Sequence, residues 1–386
     1  MNGSKSIRAL FVLICLIALF VTGCGRQNAP SAEAVNTRLS AAELEGRARY
    51  YYQRLSESEQ EAYGRIVRRV RSHPERIEIP PLETEALQRV FQAVSYDNPE
   101  ILCMDGSFQF VTQGEKKYFV PAYHCSVSEC AALTEELLHK AKQVQASAQG
   151  KTAYEKELFF HDYLVEHCVY DEETGNWRAY TAAGALLDGR AVCEGYSRAL
   201  QLLLNQEQVD NRLITGSARD QDGRVEGHMW NLVTIDGAAY HVDVTWDDPL
   251  GSESMAPSHV YFNLTDQAIS ANHFTFELGP PGCNATQANY FVKTGLLFSQ
   301  YGEDARARMA EAIEQSVSQN IWNLEFRFAS RAEYEKAIAD LFSHERIYRL
   351  LERANLSGRR IRTNRVQYHC SDEMLVLNLT LEKQGG

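Results

Sequence analysis

Apolar positions return at helical spacing over several stretches of the chain. Leu39–Arg54 and Ser56–Arg71 predict two helices, the second opened by Ser56-Glu57-Ser58-Glu59, a cap followed by first-turn acids. Leu82–Val94 predicts a third, and Ser128–Gln145 a fourth with Ser128 as its cap. Between these last two the period changes. Phe108–Val111 and Lys117–Val120 alternate or are aromatic-rich, as strands are. From Thr152 onward Phe160, Tyr163, Leu164 and Cys168 fall at i, i+3, i+4 and i+8, one buried stripe. Asp188-Gly189 marks a turn, and a helix from Cys193 presents Tyr196, Ala199, Leu200, Leu203 and Leu204 on one face. Arg212–Gly216, Met229–Ile235 and Ala238–Trp246 read as strands. The last part mixes helix (Glu303–Ser318, Arg331–Phe342, Glu345–Ala354) with strand (Leu324–Ala329, Arg362–Tyr368, Met374–Leu381). The pattern is α+β. It divides into a mostly helical region over 38–150, a middle domain over 151–280 and a small α+β module over 288–386.

The first residues follow a different rule. Lys5 and Arg8 precede an uncharged apolar run from Ala9 to Val21, shorter than a membrane span needs, which is the layout of a signal peptide over 1–23. The run ends in Val21-Thr22-Gly23-Cys24, which resembles the bacterial lipobox. That resemblance implies cleavage before Cys24 and a diacylglyceryl group on its thiol. Residues 24–37 would then be a tether, and the chain would be held outside the cytoplasm by lipid rather than by a spanning helix.

Charge and cysteine usage narrow the chemistry. The net charge of -12 argues against a general nucleic-acid binder. The basic group Arg359, Arg360, Arg362 and Arg365 reads as a solvated turn and strand face. Export permits disulfides among the nine cysteines. Cys125 and Cys130 could close a short loop, although spacing does not fix connectivity. No paired CxxC is present, so no metal site and no cofactor is expected. Asp247-Asp248 reads as a turn before Pro249.

Three segments carry the chemistry. In Gly189-Arg190-Ala191-Val192-Cys193-Glu194-Gly195-Tyr196 a glycine turn leads into a helix whose first residue is a cysteine. A thiol there feels the positive end of the helix dipole, which favours the thiolate, and the free N–H groups can hold an oxyanion. Gly227-His228-Met229-Trp230-Asn231 and His241-Val242-Asp243-Val244-Thr245-Trp246 flank Asp236-Gly237, a strong signal for a type I′ hairpin. Counting outward from that turn pairs Trp230 with Asp243 and sets His228 diagonal to Asp243, about 7–8 Å away at Cα. An imidazole and a carboxylate close that gap, which gives a base and the acid that orients it. His241 lies on the same face and competes for the role of base. His228 is preferred because it lies across the hairpin from the acid and follows Gly227, which leaves room for the thiol-bearing helix.

These residues resemble the transglutaminase-like superfamily, whose members carry C-x-G-Y at a helix start, then H-x-W-N, then D-x-T-W. The resemblance covers about residues 152–250. It implies a papain-like α+β core with Cys193 as nucleophile, His228 as base and Asp243 as orienting acid. It also implies acyl transfer through a thioester to water or to an amine; together with the leader, the expected substrate is a protein or peptide amide at the cell envelope. A second oxyanion donor upstream of the cysteine would be Trp177 or Tyr180, and the sequence leaves that choice open. The competing expectation is a non-catalytic envelope scaffold that reuses the fold.

Overall fold

Side-chain caps decide where the first helices begin. The structure is a computed structural model and describes residue 39 and residues 49–173, 175–220, 222–248, 257–275, 282–355 and 361–384. The expected leader, Cys24, the tether and most of the Leu39–Arg54 helix lie outside the described residues, as do Arg359 and Arg360. Helix α1 (Glu57–Arg69) has a full capping box between Ser56 and Glu59. Helix α2 spans Thr84–Asp97. Helix α3 (Val127–Ala146) starts earlier than expected, because Ser126 and not Ser128 is its cap: only Ser126 has an acid, Glu129, at the third helical position. Helix α4 (Ala153–His167) is closed in the same way by Thr152 and Glu155. Its stripe is buried as expected at Phe160, Leu164 and Cys168.

The chain divides into two compact units, one comprising residues 1–215 and 226–232, the other 216–225 and 233–386. In the first unit β1 (Ile77–Ile79), β2 (Met104–Gln113) and β3 (Lys116–Tyr123) form an antiparallel sheet in the order β1-β3-β2. Phe119, with no exposed surface, centres a core that includes Tyr63, Ile66, Val90 and Val94. A disulfide joins Cys103 to Cys130 across 27 residues and ties the start of β2 to α3. The Cys125–Cys130 loop considered from spacing is not formed, and Cys125 is a free thiol.

Asp97, at the end of α2, accepts the Tyr51 N–H at 3.2 Å through Oδ1 and the Tyr52 N–H at 2.8 Å through Oδ2. Burial outweighs these bonds and pushes its carboxyl from the ordinary 3.8 up to about 7. Between those values the folded chain holds a proton that the unfolded chain has released, so this group makes stability fall as pH rises across that window. Asp97→Asn is expected to remove that fall, read as the pH dependence of the urea unfolding midpoint. An unchanged slope in the variant would show that the carboxyl is ionised throughout.

Two short parallel strands, β4 (Val169–Tyr170) and β5 (Arg190–Ala191), lead into α5 (Cys193–Gln206). Then β6 (Asn211–Arg219), β7 (Val225–Ile235) and β8 (Ala238–Val242) follow, and β9 (His273–Thr275) completes a four-stranded sheet in the order β8-β7-β6-β9. The β7–β8 turn has positive φ at both Asp236 (51°) and Gly237 (80°), the type I′ geometry that Asp-Gly foretells.

In the second unit β10 (Leu297–Phe298), β11 (Asn323–Phe328), β12 (Gln367–Ser371) and β13 (Val376–Thr380) pair in the order β10-β11-β13-β12. Phe326, Leu377 and Leu379 are fully buried with residues from three helices that surround the sheet (Glu303–Ser318, Arg331–Ile338 and Arg346–Ala354). The strand expected over Arg362–Tyr368 forms instead at Gln367–Ser371. Arg362 and Arg365 are drawn to Glu382, at 2.7 and 3.1 Å, outside the ladder. No helix among the described residues is long and apolar enough to cross a membrane.

Candidate active site

Cys193 is the first residue of α5, and its N-cap, Val192, is extended and offers no side-chain acceptor. The amides of the first turn therefore lack the side-chain oxygen that caps α1, α3 and α4. The following residues explain the C-x-G-Y pattern. A Cβ on Gly195 would stand 2.3 Å from the Ala179 carbonyl oxygen, 3.1 Å from that of Thr181 and 2.8 Å from the Ala191 Cβ. Only glycine lets the 177–181 segment close over the first turn, where the Ala179 carbonyl also accepts the Val192 N–H at 3.0 Å. Gly195→Ala is expected to destabilise the chain by about 3 kcal/mol, since the clash is with backbone and not with a mobile side chain. Urea denaturation measures this, and a loss under about 0.5 kcal/mol would show that the segment yields freely.

Helix α5 is fixed to its neighbours in the first unit by polar contacts. Ser197 Oγ lies 2.8 Å from the Cys193 carbonyl oxygen and 3.0 Å from that of Met229, and shares its proton between them. Asn231 Nδ2 donates to the Ser197 carbonyl at 3.0 Å. The strand segment that carries His228 is thus bonded to the helix that carries Cys193. Met229, next to His228, packs with Cys193 and Leu213 in one buried cluster. His228 is itself buried, with its ring stacked on Trp230 at a centroid distance of 6.0 Å.

Residues outside the three motifs complete this surrounding. Tyr96 packs against the Cys193 cluster. Its backbone carbonyl accepts from Gln201 at 2.8 Å, and its ring meets Tyr51 edge-on. Arg198 is paired with Glu194 at 2.8 Å and donates to both the carbonyl and the hydroxyl of Ser95. The end of α2 is therefore part of the setting of the thiol. Nothing in its periodicity marks it, because Ser95 and Tyr96 continue an ordinary amphipathic helix. Of the two candidate oxyanion donors, Trp177 stacks on His124 with ring centroids 4.7 Å apart, while Tyr180 ends the same 3-10 turn.

Asp243 belongs to the second unit. The expected strand over Ala238–Trp246 stops at Val242, and Val244–Asp247 forms one helical turn, α6. Asp243 causes the break: Oδ1 accepts the N–H groups of Thr245 (3.0 Å) and Trp246 (3.2 Å), so the acid is a helix cap and not a member of the ladder. Asp243 Oδ2 lies 2.9 Å from His273 Nε2, and both side chains are shut from solvent. His273 was not foreseen from sequence. Its other nitrogen, Nδ1, is 2.7 Å from Asn272 Oδ1. The Asn272 amide is oriented by its Nδ2, which donates to Tyr261 Oη and Glu373. His273 thus lies between Asp243 and Asn272, with a polar oxygen at each ring nitrogen. His241, the rival base, is held 2.9 Å from Asp266. Asp247, expected in a turn before Pro249, ends α6, is fully buried and accepts the Tyr261 N–H.

No curated protein matches the chain. Among solved structures, one described as a TGase is 14% identical over 48% of this chain and 54% of its own, with a TM-score of 0.27. A candidate protease from Parabacteroides distasonis is 12% identical over 34% of this chain and 29% of its own, with a TM-score of 0.22. A candidate cysteine protease from Cytophaga hutchinsonii is 11% identical over 39% and 65%, with a TM-score of 0.24. The chain thus spans less than two thirds of each of these neighbours. The family model that matches describes residues 140–244, the stretch that holds Cys193, His228 and Asp243. That stretch of the chain matches the model of the transglutaminase-like superfamily.

Proposed function

We propose that the chain is a thiol enzyme that transfers acyl groups from protein or peptide amides, with Cys193, His228 and Asp243 as its triad. The observation that supports this most directly is the start of α5, where the thiol heads a helix whose first turn has no side-chain cap. In the reaction the Cys193 sulfur attacks the amide carbonyl while His228 takes the thiol proton. The first-turn amides stabilise the oxyanion, and His228 returns the proton to the leaving amine. Asp243 orients the base and balances its charge without itself receiving the proton. Water then releases the acyl group from the thioester. Water is the favoured acceptor here because cross-linking requires water to be excluded and an amine to be bound. We further propose that residues 1–23 are removed and that Cys24 carries the lipid that anchors the enzyme outside the cytoplasm.

Reaction with a thiol-directed electrophile at neutral pH tests the enzyme reading. Cys193 is expected to label ahead of the free cysteines Cys125, Cys168, Cys283 and Cys370. Two of these rivals are poor thiolates: burial pushes Cys125 and Cys370 up, and Glu129 adds to the effect on Cys125. Labelling without preference for Cys193 would refute the enzyme and leave a scaffold. Mass spectrometry of the mature N-terminus tests the anchor, and an unmodified Cys24 would refute it.

A further inference from the structure

Away from the triad, three residues widely separated in sequence are gathered at one edge of the second unit. His241 is on β8, Asp266 opens a short helical turn (Asp266–Ile269), and Cys283 follows it. One ligand atom of each lies within 4.8 Å of the other two. The backbone holds them in place. His241 and Leu264 exchange N–H···O bonds of 2.9 and 2.8 Å, and the Asp266 N–H donates to the Cys283 carbonyl at 2.8 Å. The Cys283 N–H donates to Asp266 Oδ2 at 2.9 Å, which turns the other oxygen, Oδ1, toward His241 Nε2 at 2.9 Å. His241 and Cys283 are buried, while the Asp266 side chain is 45% exposed.

We propose that His241, Asp266 and Cys283 form a binding site for a divalent metal ion of the zinc class, with one coordination position open to solvent. The donor set is one imidazole, one carboxylate and one thiol. The sulfur and nitrogen select zinc-like ions over calcium and magnesium, which demand oxygen ligands. Tetrahedral coordination sets such ligands roughly 3.3–3.6 Å apart, given zinc bond lengths of about 2.0–2.3 Å. The imidazole and carboxylate therefore part by a few tenths of an ångström to admit the ion. The Cys283 N–H already fixes one carboxylate oxygen, as an outer-shell donor does in a metal site. The half-exposed Asp266 gives the ion its path from solvent. On binding, the Cys283 thiol releases its proton to solvent, and the imidazole ligates through Nε2 with its proton on Nδ1. This site is separate from the acyl-transfer chemistry and does not depend on it.

Titration of the chelator-stripped full-length chain with Zn²⁺ against a chromophoric chelator tests the proposal, with Co²⁺ as a spectroscopic substitute. The expected result is one equivalent of tightly bound ion, and a thiolate-to-cobalt charge-transfer band with tetrahedral d–d absorption. Cys283→Ser is expected to abolish the band and weaken binding at least about 100-fold, since it replaces a direct ligand. Asp266→Asn alters a half-exposed residue and should leave the fold intact. It is expected to weaken binding while keeping the thiolate band at saturation. Absence of stoichiometric binding would leave only a His241–Asp266 ion pair and overturn the site. So would a charge-transfer band that survives Cys283→Ser, or equal affinity in Asp266→Asn and the parent.

Discussion

His228→Ala lowers turnover of a peptide amide by about two to four orders of magnitude, the range over which a positioned general base acts. The same variant is expected to slow alkylation of Cys193 at neutral pH, because the base proposed to take its proton is gone. His241→Ala keeps most of the turnover. Its ring is committed to Asp266, and its strand position is set by the exchange of hydrogen bonds with Leu264. His273 is no rival either, since both its nitrogens are occupied and its side chain has no exposed surface. Asp243→Asn falls between, because the acid positions and steadies the base but moves no proton. Steady-state kinetics with circular dichroism as a fold check decides the matter. Equal losses from His228→Ala and His241→Ala, with the fold intact, would show that the base is assigned wrongly.

His273→Ala destabilises the chain by about 3–5 kcal/mol, the cost of leaving a fully buried carboxyl group without its 2.9 Å partner. The Asp243 carboxyl group would keep its two bonds to the α6 amides but lose its imidazole partner in a site closed to water. Asp243→Ala strands the buried imidazole instead and also removes the α6 cap, worth about 1 kcal/mol. The two variants are therefore expected to lose similar amounts, and the double variant less than their sum, because the second change removes a buried polar group that the first left without its partner. Urea denaturation of all three measures this. Strict additivity would mean that the two side chains do not act as a pair.

The positions read best from sequence are those where local chemistry and chain spacing coincide. Cys193 was legible because a glycine turn, a helix start and the C-x-G-Y pattern fall together, and the close approach at Gly195 accounts for part of that pattern. The β7–β8 turn was legible for the same reason, since Asp-Gly favours the two positive φ values found there. Asp243 was read as part of a strand, and the structure makes it a helix cap. Val244 and Thr245 are β-branched and suggest strand, yet the carboxylate captures two amides and turns the chain into a helix. His273 and the His241–Asp266–Cys283 group gave no signal. They are joined through strand pairing and backbone bridges between distant segments, so no fixed spacing announces them. The setting supplied by Ser95 and Tyr96 was hidden because polar contacts at the end of a helix leave no trace in its periodicity.

The link between Cys103 and Cys130 has a consequence for where the chain can mature. Closing a loop across 27 residues restricts the unfolded ensemble by about 3–4 kcal/mol. In a reducing cytosol glutathione withholds that restriction, and β2 and α3 are left to hold together by packing alone. A batch expressed there and a batch folded under oxidising conditions would have the same sequence but different resistance to heat and proteolysis. For this protein the redox history of a sample is therefore a variable to be fixed before any two variants are compared.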